Sequence, residues 1–389
     1  MEPIAQKHWL NAGRFRVYSR TAVLIGLIVL AAVVHNSWKA HRAVFDFGVV
    51  WSAAGLALKG QPTLAYHLNT LHAAVHALMP DTVEGTYGWF YPPFVFPLIV
   101  PLALLPYALS FVLFQGVTFW GYFTVVKRIV NARGVGWVFL GYGGLWNNLL
   151  FGQNGFLTGL LAGWALWVLE ERPILSGVCV GFLFMKPQLA VLFPLAFLAR
   201  RQWQALMAMA VTLASLMVAS LWLYGPGLWR DWHDSLQLAS RFLDMGGQPY
   251  WMKMPTVFAF FHLWGVPFIW SMVFQGVSAG LAGLLVFLVW WHCEDADVRK
   301  AALVLGGLLV SPYLFSYDLT LLALPLAWMV RSGLRRGWMP GEREGLIGLW
   351  AFPAVALLVG DVWRFQMGPW VLWAGFWLVC RRARWSLVS

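Results

Sequence analysis

Charge is scarce in this sequence. Of 389 residues, 27 are Lys or Arg and 16 are Asp or Glu, so charged residues make up 11%, against roughly 25% in a typical soluble domain. That scarcity excludes a soluble enzyme, and the apolar richness excludes a disordered regulator. Cysteine is scarce too: Cys179, Cys293 and Cys380 all sit in or beside apolar runs, and nothing in their spacing suggests a disulfide framework or a zinc site. There is no GxxxxGK[ST] loop and no GxGxxG following a strand pattern, so no nucleotide-binding fold is expected. No internal repeat is visible, which argues against an inverted-repeat transporter. The first apolar run follows Lys7, Arg14, Arg16 and Arg20 without a small-residue cleavage site, so no cleavable signal peptide is expected.

What the chain does have is apolar residues. They make up 60% of it, with 26 Trp and a mean hydropathy of +0.67. The expected fold class is an all-α polytopic membrane protein, a single integral-membrane domain over residues 1–389. Apolar segments run near 21–36, 92–126, 136–151, 155–169, 174–185, 188–199, 203–223, 264–291, 301–313, 318–330, 345–360 and 369–380. They predict about 12 transmembrane segments, several of them shorter than the ~20 residues a simple crossing needs. The 92–126 stretch is too long for one such helix and carries Pro92, Pro93, Pro97, Pro101 and Pro106. It predicts a broken or re-entrant segment followed by a span.

The net charge of +11 reads as membrane topology, and no nucleic-acid partner is expected. With both termini on the cytoplasmic side, 19 of the 27 Lys and Arg residues fall in inner loops and tails, as the positive-inside rule requires. The inner clusters are Lys127/Arg128/Arg133, Arg200/Arg201, Arg299/Lys300, Arg331/Arg335/Arg336/Arg343 and Arg381/Arg382/Arg384. Two outer regions are long. Residues 37–91 form a first outer loop whose helical spacing of apolar residues predicts interfacial helices. Residues 224–263 form a second, rich in Trp and Tyr.

The acids are few enough to exhaust. Glu2, Glu170, Glu171, Glu294, Asp295, Asp297, Glu342 and Glu344 fall among basic residues on the inner side, where they read as solvated surface charges. Asp46, Asp81, Glu84, Asp231, Asp234, Asp244, Asp318 and Asp361 fall outside or at the outer edge of a span. Asp46 lies between Phe45 and Phe47, and an acid among aromatics at a membrane edge is costly unless used or paired. It is either a general base, its pKa raised by desolvation, or an interfacial acid paired with Arg42. Lys186 is the only charge between Arg172 and Arg200, and Pro187 breaks the helix beside it. It is a candidate phosphate partner, a snorkelling residue or the partner of an acid. Asn147, Asn148, Gln153 and Asn154 lie in LWNNLLFGQNGFLTGLL between two apolar runs. They either bind a sugar or phosphate or cap a turn. Tyr317 and Asp318 would face the same vestibule as Asp46, and Asp318 also fits as an N-terminal helix acid. His72 and His76 are spaced i, i+4, but nothing resembling HExxH is present. They read as polar-face residues, and no metal is expected. An outward site has no nucleotide supply, so an activated donor there must be lipid-borne.

Five segments then carry a resemblance: DFGVVWSAAGLALKGQPTLAY, FYPPFVFPLIVPLALLPYALSFVLF, FGQNGFLTGLL, GVCVGFLFMKPQLAVLFPLAFLARRQW and SPYLFSYDLTLLALP. Their order over residues 45–330 resembles the integral-membrane glycosyltransferases of the GT-C superfamily. The likeness is closer to glycosyltransferase family 87, which includes polyprenol-phosphate-mannose-dependent mannosyltransferases. The resemblance implies a GT-C-like bundle in the cell (inner) membrane with its active site facing outside. It implies a polyprenyl-phosphate sugar donor, mannose at family level, and a lipid or glycolipid acceptor, with no cofactor. An acid in the first outer loop serves such families as catalytic base, which is Asp46 here. The resemblance also places Gln153, Asn154, Lys186 and Asp318 near the site. Gln188, Arg230, Arg241 and Lys253 are further candidates for the donor phosphate, and Tyr91 and Tyr317 for the substrate. Some relatives carry histidine where this chain reads Tyr317-Asp318, so no histidine role carries over. The implied chemistry is a single displacement with inversion. A flippase and a non-catalytic assembly subunit are the alternative readings.

Overall fold

A computed structural model describes residues 12–39, 46–78, 88–363 and 365–385. Among them every regular element is helical. The first part of the chain forms α1 (Ala12–Lys39), α2 (Phe47–Leu58), α3 (Leu68–Leu78), α4 (Phe96–Ile99) and α5 (Tyr107–Val130). The middle forms α6 (Val135–Leu140), α7 (Gly143–Phe151), α8 (Gly155–Val168), α9 (Pro173–Leu183), α10 (Pro187–Ala190), α11 (Phe193–Ala199) and α12 (Trp203–Met245). The last part forms α13 (Gln248–Trp251), α14 (Val257–Leu263), α15 (Phe268–His292), α16 (Ala296–Val310), α17 (Ala323–Arg336), α18 (Glu342–Trp363) and α19 (Gly368–Trp385).

Four helices, α1, α5, α12 and α15, are long and apolar enough to cross a bilayer. Their outward faces stay apolar: Val117, Trp120, Met207, Val211, Trp222 and Val277 are all exposed. Apolar faces of this kind, on helices long enough to span, fit a lipid surround. The molecule is thus a helical membrane protein. At its centre lies α16, buried along nearly its whole length and packed against α15, α17 and α19. α17 in turn packs on α5.

Small residues bring helices close, as membrane packing requires where no hydrophobic drive acts between them. A Cβ on Gly177 of α9 would collide with the Ala205 carbonyl of α12, and one on Gly181, four residues on, with Thr212. On α8, Gly159 and Gly163 admit Tyr122 and Val125 of α5 in the same way.

Proline decides where the apolar runs break. Residues 93–104 are two short 3-10 segments flanking the single turn of α4, and α5 follows Pro106 as a straight span. The expected broken segment plus span is what forms. α12 runs for 43 residues but is bent at Gly225 (φ 75°, ψ 172°), with Pro226 next in the chain. At ~1.5 Å per residue its unbroken length would exceed any bilayer; the bend divides a lipid-facing part from the expected second outer region.

The helices of the expected first outer region differ in burial. α3 buries only Leu71 and Val75, as an amphipathic helix does. α2 is mostly buried, because Val49, Ala53, Ala54 and Ala57 pack with Trp89, Val95 and Phe96. The proline-broken 93–104 segment supplies much of that wall, and nothing local to α2 announces it.

Candidate active site

Asp46 opens α2 from the N-cap position, yet its side chain makes no capping hydrogen bond. An acid at that position normally accepts from its own helix. Here the Asp46 N–H donates to the Phe151 carbonyl at 2.8 Å. Gln153 Nε2 donates to Asp46 Oδ2 at 2.6 Å. The carboxylate is half-buried and joins no ion pair among the described residues. Arg42, its alternative partner, lies outside the described residues, as do Phe45, Glu2, Asp81 and Glu84. Burial pushes the Asp46 pKa above the ordinary aspartate value. The Gln153 hydrogen bond and the charges of Lys253 and Lys186 oppose that rise without cancelling it.

The FGQNG turn holds Gln153 in place. α7 ends on Gly152 in a left-handed conformation (φ 66°, ψ 32°), which glycine adopts without strain. Asn148 Oδ1 then accepts from the Gly155 N–H at 2.7 Å. The four amides of this segment divide into two pairs. Asn147 donates to the Pro353 carbonyl and Asn148 caps the start of α8, both buried and structural. Gln153 turns to Asp46 and Asn154 Nδ2 donates to the Tyr91 hydroxyl at 2.8 Å. Asn147 and Asn148 thus build the turn, while Gln153 and Asn154 face the side chains of Asp46 and Tyr91.

Lys186 occupies the break between α9 and α10, with Pro187 at the first position of α10. It is buried, and its ammonium donates to Asp318 Oδ1 at 2.8 Å. The Tyr317 ring centroid lies 5.0 Å from the same nitrogen, within cation–π range. Asp318 Oδ2 accepts from the Phe315 N–H at 3.1 Å. Asp318 is thus both an acid in the first turn of the 3-10 segment Ser316–Leu322, which leads into α17, and the counter-ion of Lys186.

Aromatic rings tie these groups together. Tyr317 meets Phe151 at 6.0 Å between centroids and stacks on Phe315 at 5.4 Å. Lys253, exposed on the region after α13, places its ammonium 5.7 Å from the Phe151 ring. Asp46, Gln153, Asn154, Tyr91, Lys186, Tyr317, Asp318 and Lys253 form one neighbourhood. Gln188 is half-buried two residues beyond Lys186. Arg230 and Arg241 are exposed on the second half of α12, and the structure does not join them to this cluster through any described contact. Asp234 faces His233, and Asp244 faces His262. The side chain of Asp361 lies outside the described residues.

A residue absent from the expected set is Gln115 of α5, which is buried. Its Nε2 donates to the Gln153 carbonyl at 2.9 Å, and its Oε1 accepts from Asn148. The signal was there: an amide inside an apolar span is expensive unless it has a task. A cavity of about 90 Å³ adjoins Asn154, walled by Phe47, Trp89, Tyr91, Phe114 and Met185. Asn154 Oδ1 is buried with no hydrogen-bond partner. Whichever way the amide is turned, one polar atom is left for a ligand hydroxyl or water. Among the described residues, no three His, Cys, Asp or Glu side chains converge as a metal site would require.

The chemistry on offer is that of a half-buried base beside a buried cation, with amides and aromatic faces around them. This set suits a polyhydroxylated ligand carrying a negative group. The family model of glycosyltransferase family 87 covers residues 89–312, more than half of the chain. The matched stretch includes Tyr91, Gln153, Asn154, Lys186, Gln188, Arg230 and Lys253; Asp46, Tyr317 and Asp318 lie beyond its ends. No curated protein and no solved structure matches. The chain belongs to glycosyltransferase family 87.

Proposed function

We propose that the protein transfers a sugar, mannose being the family-level choice, from a polyprenyl-phosphate donor to a hydroxyl of a lipid or glycolipid acceptor. Asp46 is the general base. It takes the acceptor proton as the acceptor oxygen bonds to the anomeric carbon. The bond from that carbon to the phosphate oxygen breaks, its electron pair leaves with the polyprenyl monophosphate, and configuration inverts. The observation that carries this reading is the Asp46 carboxylate. It is free of helix capping and ion pairing among the described residues and is held by Gln153 at 2.6 Å. Its raised pKa brings it nearer the range where a base works well.

Lys186 stabilises the charge on the leaving phosphate. An ammonium has three N–H donors, and Asp318 takes one of them, so two remain. Lys253 adds a second cation from the exposed side. Gln153, Asn154, Tyr91, Tyr317 and Gln188 line the approach and bind hydroxyls or ring faces. Phosphate is already a good leaving group, so no second acid is required. The remaining architecture follows the same proposal. About 12 segments lie in the cell (inner) membrane, both termini are cytoplasmic, and this cluster faces outward with 37–91 and 224–263 covering it.

The test is to incubate the purified protein with a panel of polyprenyl-phosphate sugars and a lipid extract, with product detection by mass spectrometry. The expected result is one glycosylated lipid with wild type and none above background with Asp46→Asn, both proteins eluting as folded species. Full activity in the Asn variant would remove Asp46 from the role of base.

A further inference from the structure

At the end of α5 farthest from Asp46 is a larger cavity, of about 500 Å³, within the usual ~300–1,000 Å³ range of ligand sites. The 24 residues of α5, at ~1.5 Å rise each, separate it from the Tyr107 end, where Tyr107 touches Phe47. It lies between the last turns of α5 and α6. Its walls are Phe123, Trp137 and Leu140 on the apolar side and Lys127, Asn131 and Arg133 on the polar side. Among the described residues no carboxylate lines it. A third cation sits at its edge: the Arg20 guanidinium of α1 lies 5.3 Å from the Trp137 ring centroid.

Several other cations at this end of the bundle have acids. Lys300 meets Glu170, Arg200 meets Glu294, Arg336 meets Asp295, and Arg382 meets Glu342. Lys127 and Arg133 are exposed and enter no ion pair among the described residues. Their surroundings are those of a bilayer interface. Trp137 is 42% exposed, and α1 and α5 turn apolar faces outward beside it. A basic pocket between membrane helices, floored by aromatics, matches the headgroup of an anionic phospholipid.

We infer that the Lys127–Arg133 cavity is a binding site for the headgroup of an anionic phospholipid. The phosphate sits between the Lys127 ammonium and the Arg133 guanidinium, and the glycerol lies against Trp137. The acyl chains follow the exposed faces of α1 and α5. This site stands apart from the transfer chemistry and does not depend on the donor assigned above.

The test uses full-length protein in nanodiscs of equal phosphatidylglycerol and phosphatidylcholine, released into native mass spectrometry. Wild type should retain phosphatidylglycerol over phosphatidylcholine. The Lys127→Gln/Arg133→Gln pair should lower that preference about tenfold or more, since each basic residue near a membrane surface is worth ~1 kcal/mol of attraction. Equal retention of the two lipids by wild type, or an undiminished preference in the double variant, overturns the inference. Should the double variant fail to fold, thermal unfolding of wild type replaces it. Short-chain phosphatidylglycerol should raise the midpoint where short-chain phosphatidylcholine and inorganic phosphate do not. An equal rise with phosphate alone identifies a free-anion site and overturns the lipid assignment.

Discussion

The two ends of the helical bundle use charge in opposite ways. At the end away from Asp46, acids are matched by bases. Arg382 meets both oxygens of Glu342 at 2.6 and 2.7 Å, and its Nε donates to Ser332, which donates to Asp295. Asp295 also takes Arg336, and Asp297 lies between Arg331 and Arg335. These pairs tie together the start of α16, the end of α17, the start of α18 and the end of α19. At the other end the pairing is incomplete. Lys186 has Asp318, but Asp46 has only an amide. A fully paired cluster holds helices in register; a half-buried acid held by a neutral donor keeps its lone pairs for a proton. The paired set lies at the ends of α16, α17, α18 and α19, whereas the groups around Asp46 come from the start of α2, the turn after α7 and the break before α10.

Four substitutions would break or sharpen this contrast. Glu342→Ala removes the carboxylate that meets the buried Arg382 through both oxygens, and breaking a buried pair costs about 3–5 kcal/mol of stability. The measurement is thermal unfolding in detergent, and activity per folded molecule should hold. Asp46→Asn reverses the pattern. Transfer should fall by about 100- to 10,000-fold, the usual worth of a general base, while the unfolding midpoint stays near wild type. Loss of stability with retained turnover would place Asp46 with the structural acids instead.

Gln153→Ala has a smaller effect and a diagnostic one. Its hydrogen bond lowers the Asp46 pKa against the burial that raises it. A base works only when ionised, so activity is lost as pH falls through the Asp46 pKa. Removing Gln153 raises that pKa further and should move the acid limb of the rate profile to higher pH. A profile unchanged in position would mean that Gln153 does not control the base. Glu294→Ala is the smallest. Its bond to Arg200 is 3.1 Å long but Glu294 is 75% exposed, so about 1 kcal/mol or less is expected. A large loss there would contradict the division between buried and surface pairs.

Much of this organisation follows from local pattern. The run of prolines from Pro92 to Pro106 predicts the break before α5, because proline lacks the N–H a helix interior needs. Pro187 predicts the helix break at Lys186 in the same way. Asp46, Lys186 and Asp318 stand out because a charge in an apolar sequence must be explained. Gln115 could have been found by the same rule applied to amides. The bend at Gly225 is less obvious locally, since YGPG reads as a loop while the chain on both sides is helical. The burial of α2 is set by the packing of the 93–104 segment against it, which no local pattern announces.

The sequence by itself determined the class of molecule, the segregation of acids and bases and a short set of candidate groups. These are matters of composition and of helical period, which act over a few residues. Tertiary structure alone decided which of those groups meet. Gln153 reaches Asp46 across 107 positions of sequence, and Lys186 reaches Asp318 across 132. No local periodicity carries such pairings. They arise when glycine-lined helices pack closely enough for a turn, a helix break and a helix start to share one space.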